Sequence, residues 1–540
     1  MRDFARLYSD LDATTATIRK LDALKRYFGH AKPASAAWAV YFLAGGKPRQ
    51  TVSTKLLRQF STEMSDIPEW LFDECYQAVG DLAETIAHIL PPPQRQSNID
   101  LAVWMEERII PLRGATPDEI RTALFAYWNE LDTQDRFLLT KLISGGFRVG
   151  VSKLLVIRAL SELTGLDNKI IAQRMMGWID GAVLPDAERY HRLVAAKSEF
   201  EHTMRGGQPY PFFLAHPLQA DPQTLGDIRQ WQIEWKYDGI RAQLVGRNGQ
   251  RWLWSRGEDL ITDRFPEISG IFLPDGMVMD GEILVWKNDK PAPFADLQKR
   301  IGRKTLSSRI LSDLPAVFIA FDLLEYNGQD ICHTPQLERR RKLEGMVRNI
   351  DAPGLILSPL IEAPDWPSLA TMRNSSRSRA VEGMMLKAMG AQYGTGRTKE
   401  SGIWWKWKID PYTVDAVLVY AQGGHGRRAS LYTDYTFAVW DSAEGGEERK
   451  LVPFAKAYSG LTDREIANVD AVIRKTTVEK FGPVRSVIPT MVFEIGFEGI
   501  ARSTRHKAGI AVRFPRMLRI RDDKRIDEAD TLETLKSMLT

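Results

Sequence analysis

The sequence predicts a chain of three domains: an all-α N-terminal domain, an α+β middle domain and a C-terminal β-barrel of the OB type. Its 540 residues, 44% hydrophobic and 26% charged, exceed what one globular domain usually holds. Apolar residues follow the helical period in 1–204, mix helical and strand patterns in 205–410, and form mainly short strands in 411–540. We therefore place the domain boundaries between these three ranges.

The N-terminal region is predicted to be helical because it contains long amphipathic stretches and strong helix starts. In Thr116-Pro117-Asp118-Glu119, a threonine N-cap precedes a first-turn proline and a capping-box glutamate. Three consecutive prolines at 91–93 interrupt the helical pattern. The stretch 205–211, which is rich in glycine and proline, then predicts a linker.

The middle region alternates β-rich runs, such as 243–245 and 317–321, with polar turns and helices, which predicts an α/β or α+β domain. A second boundary is expected at Asp410-Pro411. Beyond it, a helix begins at the capping box Thr462 to Glu465. About five strands and one helix are typical of an OB barrel. The clearest strands are 414–420, 435–440 and 492–495.

Composition limits the classes of protein that fit. The net charge is only +4, but nine basic residues lie between Arg502 and Arg525, where they could hold phosphates or form a solvated face balanced by acids. The two cysteines, Cys75 and Cys332, are too few for a disulfide framework or a four-cysteine zinc site. The start lacks the apolar core of a signal peptide, and no apolar run reaches the roughly 18 to 20 residues that cross a bilayer. We expect a cytoplasmic protein that does not insert into a membrane.

Lys236 is the strongest candidate for a catalytic residue. It lies between strand-forming residues and the tight turn Asp238-Gly239. A lysine amine attacks only in its neutral form, and burial or positive neighbours favour that form. Lys406 and Lys408 are the expected neighbours. Taken alone, the pattern also fits an ordinary hairpin turn with exposed charges.

Further strings follow Lys236 in a fixed order, and together they closely resemble the nucleotidyltransferase motifs of ATP-dependent DNA ligases. The strings are Ser255-Arg256-Gly257, Asp280-Gly281-Glu282, 318–324, 382–387, 405–408 and 513–516. Within the last domain, the stretch from 497 to 524 is similar to bacterial members in particular.

The resemblance implies a function for each domain. Residues 1–204 would bind DNA, 205–410 would form the nucleotidyltransferase domain, of the ATP-grasp-like adenylation type, and 411–540 would form the OB domain. In such enzymes the motif lysine attacks the α-phosphorus of ATP, the AMP moves to the 5′-phosphate of a nick, and the 3′-hydroxyl displaces it. We expect a monomer that encircles nicked double-stranded DNA and works in the cytoplasm, at the bacterial nucleoid.

Four cations are expected to neutralise charge on the phosphate oxygens: Arg241, Arg256, Lys406 and Lys408. Lys406 and Lys408 alternate, so on a strand they share one face. A surface strand edge protected by lysines is the structural alternative for this pair.

Carboxylates near phosphate imply a divalent cation between the two. We therefore expect Glu282 and Glu382 to hold Mg²⁺, for which Mn²⁺ could substitute, and the resemblance also allows Glu282 to bind the ribose. It places Glu234 at the adenine region. Asp280 fits an uneventful turn that enters a strand, and we leave it outside the site.

Phe321 would ordinarily be assigned to the core of an apolar strand. The resemblance places it instead against the adenine ring. The family also carries a nucleotide-binding arginine between the carboxylate and lysine motifs, and Arg397 matches it. The spacing to the following tryptophans is longer than expected, so Lys399 and a plain glycine-rich surface loop remain alternatives.

Arg513 and Arg516 belong to the last motif and lie in the OB domain. They reach the ATP phosphates only if that domain swings over the pocket. A solvated basic strand is the alternative.

DNA contacts are expected from two loops. In the helical region, Arg148 and Lys153 flank a glycine-rich turn that leads into a helix capped by Ser152, which suits a DNA phosphate. In the OB domain, Arg427 and Arg428 are the candidates. Turns that simply connect two elements are the alternative at both places.

Other enzyme classes share parts of this pattern. RNA ligases and RNA-capping guanylyltransferases share the lysine motif, but the helical region of about 200 residues disfavours them. NAD-dependent ligases carry a zinc site that two cysteines cannot form. A DNA-binding scaffold without activity is disfavoured because the lysines and glutamates of the motifs are intact.

Overall fold

The computed structural model describes residues 1–47, 50–147, 149–179, 184–196, 206–301, 303, 306–399, 403–424, 431–441 and 449–539. The chain groups into two compact units. The first consists of Met1–Thr51, Asn98–Pro111 and Gly145–Ile409. The second consists of Val52–Ser97, Leu112–Ser144 and Asp410–Thr540.

The N-terminal region is helical, as predicted. Its α-helices in the described residues are α1 (Arg2–Asp12), α2 (Thr17–His30), α3 (Pro33–Leu43), α4 (Thr54–Ser65), α5 (Glu69–Val79), α6 (Leu82–Ile89), α7 (Leu101–Val103), α8 (Pro117–Asn129), α9 (Thr133–Ser144), α10 (Lys153–Thr164), α11 (Asn168–Arg174) and α12 (Ala187–Val194). Two local predictions are confirmed. Thr116 and Glu119 form the capping box of α8, and the Ser152 side chain caps α10 by accepting from the Leu155 amide.

The middle region is α+β and contains two sheets. Its strands are β1 (His216–Pro217), β2 (Trp231–Tyr237), β3 (Ile240–Arg247), β4 (Gln250–Ser255), β5 (Met277–Lys287), β6 (Lys290–Pro291), β7 (Ala316–Tyr326), β8 (Gln329–Asp330), β9 (Leu355–Leu357), β10 (Val381–Ala388) and β11 (Trp404–Lys408). One sheet has the order β1-β11-β10-β2; the other has the order β4-β3-β5-β7-β8, with β6 on β5 and β9 on β7.

Helices accompany the second sheet. They are α13 (Pro266–Ser269), α14 (Phe294–Ile301), α15 (Ser308–Asp313) and α16 (Gln336–Ile350). A further helix, α17 (Trp366–Asn374), packs on the first sheet, where Trp366 and Leu369 share a core with Ile233 and Met384. The inward faces of β3, β5 and β7 form an apolar core in which Leu244, Met279 and Phe318 are fully buried. Burial of such side chains is worth roughly 1.5 to 3 kcal/mol each.

The stretch expected to be a linker packs against the second sheet wherever it is described. The Tyr210 amide donates to Gln243 Oε1 (2.7 Å), and the Tyr210 hydroxyl donates to Glu325 Oε2 (2.9 Å). Glycine and proline frequency cannot reveal this, because it depends on partners far along the chain.

The C-terminal region is the predicted β domain with one longer helix, α18 (Asp463–Thr476), followed near the end by α19 (Leu532–Ser537). Its strands are β12 (Tyr412–Gly423), β13 (Tyr432–Trp440), β14 (Leu451–Ala457), β15 (Thr477–Phe481), β16 (Val484–Val487), β17 (Val492–Phe497), β18 (Gly499–Arg502), β19 (Ile510–Arg513) and β20 (Arg516–Ile520). The long strand β12 pairs with β13, β16 and β17, as expected when a small antiparallel sheet bends into an OB barrel. Thr462 and Glu465 form the predicted capping box.

No helix in the described residues is long and apolar enough to cross a membrane.

Candidate active site

The turn after β2 carries the chain from the first sheet to the second. A Cβ on Gly239 would lie 2.3 Å from the carbonyl oxygen of Ile283, so only glycine fits there. The turn therefore places Lys236, near the end of β2, close to β5. A bulge in β10 next to Gly383, whose φ is 136°, places Glu382 close to the end of β11.

One carboxylate oxygen binds two lysines in this region. The ammonium of Lys236 donates to Glu382 Oε2, and Lys408 Nζ lies 3.3 Å from the same atom. The three side chains are partly exposed, at 22%, 18% and 33% for Lys236, Glu382 and Lys408. They are therefore sheltered yet accessible to a ligand.

Glu382 is ionised in this arrangement. Burial raises the pKa of its carboxyl, but the charges and hydrogen bonds of Lys236 and Lys408 outweigh burial and hold the pKa below its usual value. An adjacent carboxylate favours the charged form of a lysine. The expected neighbours of Lys236 were cations, but the group in direct contact with its ammonium is the carboxylate of Glu382.

Lys406 lies two residues before Lys408 on β11, opposite Met385 of β10. Burial lowers the pKa of Lys406, and the positive charges of Lys408, Arg397 and Lys236 lower it further. These cations crowd one another, so a polyanionic ligand would relieve their repulsion.

Arg397 and Lys399 were alternatives for one contact, and they lie in different surroundings. Arg397 is exposed and close enough to Lys406 to affect its pKa. Lys399 Nζ lies over the ring of Trp405, 5.0 Å from its centroid.

Glu282 lies on β5, directly opposite Arg241 of β3. Burial raises the pKa of Glu282 to about 7, although the charges of Lys236 and Arg241 oppose the shift. Asp280 and Glu382 add to the shift by repulsion. Glu282 and Glu382 are therefore near enough to interact.

Two carboxylates, with substrate phosphates and water, form the usual ligand set of Mg²⁺. The described residues contain no group of three or more His, Cys, Asp or Glu side chains that could hold a metal ion by itself. Glu282 and Glu382 therefore fit an ion that is held partly by substrate.

Asp280 is part of this site, which corrects its assignment to an uneventful turn. It is fully buried and accepts from Arg241 (2.7 and 3.2 Å) and from the Tyr393 hydroxyl (2.5 Å). Arg241 also donates to the carbonyl of Phe213 (2.6 Å). Asp280 shares a strand face with Glu282 because the two are separated by one residue, and that spacing was the signal for it in the sequence.

Phe321 is half-buried on β7 and is surrounded by cations and an aromatic ring. Lys387 Nζ lies 4.4 Å from its ring centroid, and the guanidinium of Arg241 lies 5.5 Å from it. Trp404 makes an edge contact, with ring centroids 6.3 Å apart. Its position on the strand is the expected one, but its neighbours are more polar than those of a core phenylalanine.

Glu234 is almost fully buried, and protein donors surround its carboxylate. Lys387 donates to both oxygens (3.2 and 3.1 Å), and Ser358 donates to one of them (3.1 Å). Lys387 also donates to the Phe321 carbonyl (3.1 Å). Lys387 therefore links the two residues expected near the adenine, a role that its place in the motif did not reveal.

Arg256 is exposed, and its amide donates to the Arg241 carbonyl (2.8 Å). Lys153, expected to contact DNA, has its ammonium bound to Glu258 in the same turn as Arg256 and to the Met175 carbonyl (3.2 Å). A DNA phosphate could reach Lys153 only if the pair with Glu258 opened. The other expected DNA contacts, Arg148, Arg427 and Arg428, lie outside the described residues.

In the second unit, Arg513 lies at the end of β19, and its guanidinium is 5.0 Å from the ring centroid of Phe514. Many of the basic residues between Arg502 and Arg525 are paired with acids, which fits the alternative of a basic face balanced by acidic side chains. The pairs are Arg516 with Glu498 (3.7 Å), Arg519 with Glu494 (2.6 Å), Arg521 with Asp415 (2.8 Å), Lys524 with Asp415 (2.6 Å) and Arg525 with Asp527 (2.9 Å).

The chain is similar to known proteins along most of its length. Three families match the chain: "DNA ligase N terminus" over 1–161, "ATP dependent DNA ligase domain" over 212–408 and "ATP dependent DNA ligase C terminal region" over 428–524. A "Probable DNA ligase" of Koribacter versatilis is 31% identical and covers 99% of this chain and 95% of its own length. Another, of Opitutus terrae, is 29% identical over 99% of this chain and 62% of its own length.

A solved structure described as "Pmar-Lig_Pre." has the same fold. It covers 96% of this chain and 99% of its own, with a TM-score of 0.62 and 13% identity. These comparisons confirm the resemblance drawn from the ordered motifs and the predicted fold class. The chain belongs to the ATP-dependent DNA ligase family.

Proposed function

We propose that this chain seals nicks between a 5′-phosphate and a 3′-hydroxyl in double-stranded DNA, with Lys236 as the covalent carrier of AMP. The observation that carries the proposal is the convergence of Lys236 and Lys408 on the carboxylate of Glu382, beside Lys406. This arrangement supports a nucleophilic role for Lys236, because the neighbouring cations would suit a triphosphate.

In the first step, the Lys236 amine attacks the α-phosphorus of ATP. A P–N bond forms, and the P–O bond to pyrophosphate breaks. The Lys236 ammonium, which donates to Glu382, must first lose a proton to solvent. Glu282 and Glu382 would hold Mg²⁺, which adds positive charge at the phosphate oxygens when bound.

The two later steps use the same pocket. An oxygen of the 5′-phosphate at the nick attacks the adenylated phosphorus, and the P–N bond breaks. The 3′-hydroxyl then attacks the 5′-phosphorus, a phosphodiester bond forms, and AMP leaves. Lys406 and Lys408 would neutralise the phosphate charge in each step.

The remaining assignments belong to the same proposal. Glu234 and Phe321 would serve the adenine, Arg241, Arg256 and Arg397 would serve the nucleotide, and Arg513 would act when the OB domain closes. Residues 1–204 would bind DNA, 205–410 would carry the adenylation chemistry and 411–540 would form the closing domain. We further propose a monomer that works in the cytoplasm.

Nick sealing can be measured directly. A duplex with one nick and a labelled 5′-phosphate is incubated with the protein, ATP and Mg²⁺, and sealed strand is counted. We expect sealing by the wild type and none by Lys236→Ala. Lys299→Ala is the matched control, because Lys299 is an exposed lysine paired with Asp296 on α14. Sealing by Lys236→Ala, or none by the wild type, would refute the proposal.

A further inference from the structure

The first two residues of α10 lie against two turns that carry predicted nucleotide-site arginines. Lys153 pairs with Glu258, two residues after Arg256. Leu154 packs against Gly396, the residue before Arg397. One helix start therefore contacts both turns.

The pair of Lys153 and Glu258 is sheltered and joins residues 105 positions apart. The side chains are 20% and 13% exposed. Burial lowers the pKa of Lys153, and the carboxylate of Glu258 opposes that shift. In the described part of the chain, Glu258 Oε2 is buried without a hydrogen-bond partner. Loss of Lys153 would leave this carboxylate uncompensated.

The turn held by Lys153 is tightly bonded. The Ser255 amide donates to the Asp259 carbonyl (2.9 Å), and the Glu258 amide donates to the Ser255 carbonyl (2.9 Å). Glu258 has a φ of 66°, a conformation that non-glycine residues rarely adopt. The Arg256 amide donates to the Arg241 carbonyl, as described above. The ion pair between Lys153 and Glu258 therefore constrains the position of a small, hydrogen-bonded turn that includes Arg256.

The turn before Arg397 is confined on two sides. The Gly396 amide donates to the Phe212 carbonyl (2.9 Å), and the Gly396 carbonyl accepts from the Leu214 amide (2.8 Å). On the other side, a Cβ at Gly396 would lie 2.8 Å from Leu154 Cδ1. The backbone of this turn is thus fixed between residues 212–214 and α10.

We propose that Lys153 and Leu154 are positioning residues for adenylation, which hold the turns of Arg256 and Arg397 in place before ATP binds. The proposal rests on the function proposed above. It assigns Lys153 to the nucleotide site through Glu258. Arginines that are held in place before ATP binds lose less entropy on binding. Lys153 and Leu154 would therefore increase the affinity for ATP without contacting it.

The test measures the rate of self-adenylation against ATP concentration, with ATP labelled at the α-phosphate. In Lys153→Met and in Glu258→Gln, we expect the half-saturating ATP concentration to rise about three- to tenfold, which is the size of effect usual for residues in direct contact. We expect little change in the maximal rate of self-adenylation. Lys153→Arg keeps the charge and should retain wild-type affinity. Arg158→Gln is the matched control, because Arg158 lies on the same helix in an exposed pair with Glu162 (2.9 Å).

A double-mutant cycle separates positioning from general stability. If Lys153 acts through the Arg256 turn, Lys153→Met should add little to the effect of Arg256→Ala on half-saturating ATP. The exchange Lys153→Glu with Glu258→Lys should restore part of the affinity. Unchanged affinity in Lys153→Met and Glu258→Gln, or full additivity with Arg256→Ala, would overturn the inference. Absence of label on the wild type would instead refute the proposed function.

Discussion

The ammonium of Lys236 is bound to the carboxylate of Glu382, 146 residues further along the chain. This pair joins the proposed nucleophile to a proposed metal ligand. Lys236 cannot attack phosphorus while its ammonium is protonated, so adenylation requires this contact to change. A cation drawn to Glu382 would weaken its hold on the proton of Lys236.

Glu382→Gln keeps the size of the side chain and removes its charge. We expect self-adenylation to slow about 100-fold and to need more Mg²⁺, because electrostatic stabilisation of this kind is worth about 10² to 10³ in rate. The measurement is the initial rate of label incorporation across a series of Mg²⁺ concentrations. An unchanged rate at low Mg²⁺ would contradict the assignment of Glu382.

Asp280→Asn should destabilise the protein strongly. Asp280 is the buried partner of Arg241, and removal of one member of a buried ion pair costs about 3 to 5 kcal/mol. Tyr393→Phe removes the hydrogen bond to Asp280 and two longer ones from the Phe213 amide and Arg241 (3.3 Å each), and should cost less, about 1 to 3 kcal/mol. Denaturant unfolding of both variants gives the two values. A loss below about 1 kcal/mol for Asp280→Asn would show that this pair does not stabilise the fold.

The titration of Glu282 predicts a pH-dependent stability in the protein without ATP or metal. Burial raises the pKa of Glu282 from 4.5 to about 7, so between these values the folded protein binds more protons than the unfolded chain. The stability that this carboxyl contributes is therefore complete below about pH 4.5 and is lost as the pH rises through about 7.

Glu282→Gln removes this titration. The free energy of unfolding of the wild type minus that of the variant should fall as the pH rises from about 5 to about 8, with a chelator present. Chemical denaturation at several pH values measures this difference. A difference that stays constant over that range would contradict the raised pKa of Glu282.

Arg513→Ala should impair self-adenylation more than the sealing of DNA that is already adenylated. The proposed closure brings Arg513 to the phosphates only when pyrophosphate leaves, and a transition-state arginine is worth at least about 10³ in rate. The two rates are measured separately, with Arg519→Ala as the control because Arg519 is paired with Glu494. Equal losses in both steps would refute the closing role of Arg513.

Local features of the fold, and the order of the motifs along the chain, were predictable from the sequence. The capping boxes at Thr116 and Thr462 depend on neighbouring residues, and both form as predicted. The alternation of Lys406 and Lys408 follows from the period of a strand. The order of the motifs indicated the family, which the comparisons confirm.

Long-range pairings were not predictable in the same way. The sequence suggested that the nearest charged neighbours of Lys236 are cations, but in the fold its nearest charged neighbour is the carboxylate of Glu382. Lys153 was expected to contact DNA because it flanks a glycine-rich turn that leads into a capped helix, but in the fold its ammonium is bound to Glu258. Both depend on distant segments that meet only in the folded chain, and such pairings leave no local pattern.

Covalent transfer of AMP to Lys236 is the central claim, and label transfer tests it most directly. The protein is mixed with Mg²⁺ and ATP labelled at the α-phosphate, denatured, and examined for label on the polypeptide. We expect label on the wild type at Lys236, loss of that label when pyrophosphate is added, and none on Lys236→Ala. Label that persists on Lys236→Ala, or an unlabelled wild type, would contradict the account.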